Sequence, residues 1–82
     1  MVENLRLLAQ QTVEVEGGEV YQRSYALTYG EQAVEVDVEM TLDPEVDLYS
    51  VALRTPFERA TLEVFDDIRQ AVLDHLSEEG IA

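Results

Sequence analysis

The chain has no cysteine, so disulfides and thiolate metal sites are excluded, and the redox compartment stays undecided. It has no lysine either. Its five cations are all arginine, set against eighteen Asp and Glu for a formal charge of −13. A surface this negative repels nucleic acid phosphates and anionic membranes. No apolar run approaches the ~18–20 residues of a membrane span. Met1-Val2-Glu3-Asn4 lacks the basic start and apolar core of a secretory leader, so the cytoplasm is the expected location. No glycine-rich phosphate loop, zinc pattern or dinucleotide fingerprint occurs.

What is present describes a small globular unit. Eighty-two residues are expected to form one domain, residues 1–82. A chain of this size buries little more than ~60% of its unfolded surface, which leaves a thin stability margin. An apolar content of 46% is ordinary for a folded domain.

The most legible stretch is Thr55 to Gly80. Thr55-Pro56-Phe57-Glu58 has the pattern of a capping box, with proline at the first helical position. Gly80 suits the left-handed residue that ends a helix. The spacing predicts one helix over Pro56–Glu79. Its apolar stripe is Phe57, Val64, Ile68, Ala71 and Val72, widened by Ala60, Phe65 and Leu76. Glu63, Asp67, Gln70 and Asp74 lie opposite.

Upstream, Leu5, Leu8, Ala9 and Thr12 fall at i, i+3, i+4 and i+7, which predicts a short N-terminal helix over residues 2–11. Val13 and Val15 alternate with glutamates up to Gly17-Gly18, a turn signal. The next strand, Val20 to Tyr29, places Tyr21, Arg23, Tyr25, Leu27 and Tyr29 on one face. If Val13 and Val15 share that face, the Gly17-Gly18 loop must hold an odd number of residues, three or five with a glycine bulge. Ala33 to Leu42 alternates strictly, with Val34, Val36, Val38, Met40 and Leu42 inward and Glu35, Asp37, Glu39 and Thr41 outward. A two-residue Gly30-Glu31 loop pairs Leu27 with Val34 and Tyr25 with Val36. After a Pro44 turn, Leu48 to Arg54 forms the last strand, with Tyr49, Val51 and Leu53 expected inward. The expected fold is α+β: a three-stranded antiparallel meander with a long C-terminal helix on one face and a short N-terminal helix beside it.

Two features are left over by this layer. Leu62 and Leu73 lie off the main helical stripe. The stretch Leu48–Leu53 carries no charge, although a meander leaves it at a sheet edge, where soluble proteins usually place charge or proline. Together they point to a homodimer, joined by the edge residues Leu48, Ser50 and Ala52 or through Leu62 and Leu73. The outer row Glu35, Asp37 and Glu39 is the other candidate surface, suited to a basic protein.

Chemistry is poorly supported. His75, the one histidine, sits near the end of the helix with no nucleophile or orienting carboxylate placed by any motif. Asp43, Glu45 and Asp47 share a loop, but a calcium-binding loop would also need a glycine and a glutamate where Leu48 and Arg54 stand. The expected role is non-enzymatic, without metal or cofactor. It is contact between proteins, as a homodimer, with no direct binding to nucleic acid or membrane. The alternative is a mimic of nucleic acid charge that inhibits a basic DNA- or RNA-binding protein.

Overall fold

Ten residues of strict alternation, Gln32–Thr41, become a strand with one buried and one half-buried face. Val34, Val36, Val38 and Met40 are buried, and Glu35, Asp37, Glu39 and Thr41 are on the other side. This strand is β3 of a computed structural model that describes residues 1–55, 57 and 61–81. The other elements are β1 (Val2–Val15), β2 (Gly18–Tyr29), β4 (Asp47–Leu53) and α1 (Leu62–Glu78). The strands pair antiparallel in the order β1-β2-β3-β4. The α1 helix lies across one face and touches both edge strands.

The αβββα expectation is therefore corrected to ββββα, with a four-stranded sheet. Residues 2–11 are not a helix; they are most of β1. Of the helical stripe only Leu5 packs against the core; Leu8, Ala9 and Thr12 are exposed, and β1 carries two bulges that break the alternation expected of a strand. The pairing with β2 shifts by one residue between Glu3 and Arg6, where Asn4 has a φ of +56°, and again between Leu7 and Ala9. A bulge adds a residue to one strand and turns the side chains beyond it to the other face. Val2, Leu5 and Leu7 consequently all pack against the core, at a spacing that no unbroken strand would show. Pairing with β2 then outweighs the helix propensity of the segment.

The first turn also differs from expectation. Val15 pairs with Gly18 and Val13 with Val20, so the loop is the two residues Glu16-Gly17, with φ of +94° at Gly17 and +153° at Gly18. Val13 and Val15 therefore lie on the face away from α1. The odd-loop argument required them to seek the core, but this hairpin tip gives them none: Val15 is 48% exposed, and Glu14 and Glu19 beside it are exposed. The second turn is as expected. Tyr29 pairs with Gln32 across Gly30-Glu31, both residues have positive φ as a type I′ turn requires, and Leu27–Val34 and Tyr25–Val36 are register partners.

The core joins Tyr25, Leu27, Val34, Val36, Val38, Met40 and Leu48 of the sheet to Val64, Ile68, Val72 and Leu76 of the helix. The helix is shorter than the sequence implies, 17 residues or ~25 Å. Its cap is Thr61, whose hydroxyl accepts from the Val64 N–H at 3.3 Å. Thr55 does not cap it; its hydroxyl accepts from the Glu35 N–H at 3.1 Å and closes the end of the β3–β4 pair. Pro56, Glu58 and Ala60 lie outside the described residues. At the other end Gly80, with φ +81°, lets its own N–H reach the Ser77 carbonyl and the Ile81 N–H reach that of Leu76. The Tyr29–Asp67 bond near one end and the Arg23–Glu79 pair at the other show that α1 runs antiparallel to β2. No described helix is long and apolar enough to cross a membrane.

Candidate functional site

The last strand, β4, is the sheet edge that the sequence leaves bare. A third bulge governs it. Ser50 faces Glu39 and Leu48 faces Met40, so Tyr49 is the extra residue. This corrects the inward expectation for Tyr49: it is 51% exposed and donates its hydroxyl to Glu39 at 2.9 Å on the outer face. Leu48 takes the inward place and is 2% exposed, so it belongs to the core rather than to any surface. Its carbonyl accepts from Arg69 Nε of α1 at 3.2 Å. Beyond the bulge, Val51 and Leu53 point to the helix side and are half-buried, Ser50 is half-buried on the outer side, and Ala52 is exposed there.

The same Arg69 bond locates the helix flank that the sequence left unexplained. At 100° per residue, Leu62, Arg69 and Leu73 fall within about 40° of one another. Because Arg69 reaches β4, this flank is the one on the β4 side. Leu62 on it is 84% exposed, and Leu73 packs partly against the core. The fold therefore brings together two features that were separate in the sequence, the uncharged strand and the off-stripe leucines.

The outer acidic row is less free than its sequence implies. Glu35, Asp37 and Glu39 are all half-buried. Asp37 accepts from the Ser24 hydroxyl at 2.6 Å and from Arg54 Nη2 at 2.5 Å. Ser24 and then Arg54 hold its carboxyl below the usual carboxylate range. Glu39 accepts from Gln22 at 3.3 Å and from Tyr49, and Gln22 in turn bonds Gln11. A polar ladder thus crosses all four strands. Sequence reasoning missed Arg54; its signal was a cation just past the end of a strand whose neighbour carries three acids. The shallow depression along this ladder, about 420 Å³, is lined by Gln22, Ser24, Asp37, Glu39 and Arg54 among others.

His75 belongs to a structural cluster at the end of the helix. Its ring meets Tyr25 edge-on at 5.5 Å, and its Nε2, buried and without a hydrogen-bond partner among the described residues, is 3.6 Å from Glu79 Oε1. Arg23 holds the cluster together. One Nη donates to the Tyr25 hydroxyl at 2.9 Å and to Glu79 Oε2 at 2.6 Å. Burial opposes the Arg23 charge, but these two bonds outweigh it and raise its pKa. The Asp43, Glu45 and Asp47 side chains are exposed, and no group of three potential metal ligands occurs among the described residues.

All four tyrosines resist ionisation. Tyr29 is pushed up to about 12, first by its hydrogen bond to Asp67. Bonds to Glu19 and Glu39 raise Tyr21 and Tyr49, and burial raises Tyr25. A raised pKa means that the protonated, bonded form stabilises the fold. That contribution is complete below the ordinary value of 10.0 and fades as pH climbs through the folded value, about 12 for Tyr29. Tyrosinate absorbance of the folded chain is expected to lag behind that of the chain in denaturant, and Asp67→Asn to shift one tyrosine back towards the ordinary value. Coincident titration curves would reject these bonds.

Comparison with known protein families, with curated proteins and with solved structures found no match.

Proposed function

We propose that this chain is a cytoplasmic, non-enzymatic interaction protein that works through protein–protein contact, as a homodimer joined along β4. One observation carries the reading: β4 is the terminal strand of the sheet and has no charged side chain from Leu48 to Leu53. The opposite edge strand, β1, has two bulges and carries Glu3, Arg6 and Glu14, the usual defences against edge pairing. The exposed Leu62 on the β4 side of the helix adds apolar surface next to the bare edge.

A mimic of nucleic acid draws less support. Asp37 and Glu39, which it would present, are already bonded to Arg54, Ser24, Gln22 and Tyr49.

Salt separates the two readings. Each copy carries −13, so two copies repel, and screening is expected to strengthen an apolar dimer as salt rises. Binding to a basic protein weakens instead. Light scattering over a concentration series at low and high salt is expected to show a dimer favoured by salt. A monomer at every concentration and salt level would overturn the homodimer.

A further inference from the structure

The backbone of β4 dictates how a second copy can join it. The Arg54 N–H donates to the Glu35 carbonyl at 2.8 Å. Residues 54 and 35 are therefore a hydrogen-bonded pair of the antiparallel ladder. Such pairs alternate with non-bonded ones. In the observed register the bonded pairs are then Arg54–Glu35, Ala52–Asp37 and Ser50–Glu39, and the non-bonded pairs are Leu53–Val36 and Val51–Val38. The N–H and C=O groups of Val51 and Leu53 must therefore point away from β3, to the free edge.

Two conditions now narrow the pairing. The residues that exchange bonds must be Val51 and Leu53, and side chains on one face must meet side chains on the same face. Pairing Val51 with the partner's Val51 sets outward Tyr49 against the partner's inward Leu53, because of the bulge. Pairing Val51 with the partner's Leu53 avoids the bulge altogether. We propose that two copies join antiparallel in this register, with Ala52 opposite the partner's Ala52 on the two-fold axis. This rests on the homodimer reading and specifies its geometry.

The neighbourhood of the axis fits a second copy. On the helix side, the half-buried Val51 and Leu53 of each chain gain each other as cover, and the Leu62–Leu73 flank of each helix turns toward the other. Five residues of edge fall short of the ~1,000 Å² that a specific interface needs, so the exposed Leu62 on that flank must add to it. On the outer side, Arg54 of each chain stands beside the partner's Ser50 and, one strand further, the partner's Glu39. Arg54, already paired with Asp37 of its own chain, thus comes near an acid across the axis, which offsets part of the net repulsion. The product is a continuous eight-stranded sheet with both helices on one face.

Cross-linking tests the register directly. The chain has no cysteine, so an introduced one is the sole thiol. Two residues facing each other as a non-bonded pair lie ~4.5 Å apart at Cα, within reach of a disulfide. Ala52 is such a residue and is exposed, so Ala52→Cys leaves the core untouched. Under mild oxidation it is expected to convert almost entirely to a covalent dimer. Ser50→Cys is expected not to link to itself, because in this register its copies sit four residues apart, ~13 Å. Mixed with Arg54→Cys, however, it should form a covalent heterodimer. Light scattering on the unaltered chain distinguishes the failures. A monomer overturns the homodimer and the register together. A dimer in which Ala52→Cys stays unlinked, or Ser50→Cys links to itself, overturns the register alone.

Discussion

Ile68→Ala is expected to remove about 2–5 kcal/mol of stability, read as a fall in the urea midpoint without a change in slope. Ile68 is 0% exposed, at the middle of the only described helix, against the sheet core. A domain of 82 residues has roughly 4–12 kcal/mol in total, at ~0.05–0.15 per residue. One truncation therefore takes a large share, and the variant should be partly unfolded at mild temperature. The comparison is Leu62→Ala at high dilution, where the proposed dimer would be dissociated. Leu62 is 84% exposed, and the same loss of methyl groups is expected to change stability by no more than about 0.5 kcal/mol. Equal effects at the two positions would mean that α1 does not present the face described.

Arg23→Ala is expected to destabilise by about 1–3 kcal/mol, the cost of leaving a buried polar partner unsatisfied. The Arg23 side chain is only 10% exposed and bonds both the hydroxyl of Tyr25, itself 0% exposed, and Glu79. Arg54→Ala is the contrast. Arg54 is 51% exposed beside Asp37, and an ion pair in that position is worth at most about 1 kcal/mol. A pH signature accompanies the Arg23 change. Arg23, and then the charge of His75, hold the Glu79 carboxyl below its ordinary value of 4.5. A lowered carboxylate stabilises above the unfolded pKa and loses that contribution as pH falls through the folded one. The unaltered chain should therefore lose stability on the acid side of 4.5, and Arg23→Ala should lose less there. Parallel acid limbs for the two proteins would show that Arg23 does not act through Glu79.

Strands with one wet face were legible in the sequence because burial on a single side writes a period of two. Hence β2 and β3, their Gly30-Glu31 turn and their register came out as read. The heart of α1 was legible for the equivalent reason, a stripe that the sheet alone can cover. Two of the failures share one cause. Bulges at Leu8, near Asn4 and at Tyr49 each insert a residue that the alternation cannot anticipate. In β1 they broke the alternation that marks a strand; in β4 they exchanged Tyr49 for Leu48 as the core residue. Leu7 was a missed warning, since it lay off the supposed helical face yet packs against the core. The helix start was missed because Thr55 and Thr61 both precede apolar positions, and only the fold assigns one to the sheet and the other to the cap. At the candidate interface, the bare edge and the off-stripe leucines were each visible. Their adjacency was not, because it depends on which way Arg69 turns.

The Leu8 bulge separates chain length from side-chain facing. Away from its two bulges, one residue more or less in β1 would exchange the inner and outer sets of everything upstream. At Leu8 it would not: without that residue, Leu7 would still stand opposite Tyr25, as it does now. The N-terminal half of the strand is thus keyed to its neighbour through Val2, Leu5 and Leu7 rather than through an unbroken count from the hairpin. A change of length is absorbed at such a point, and the core does not register it.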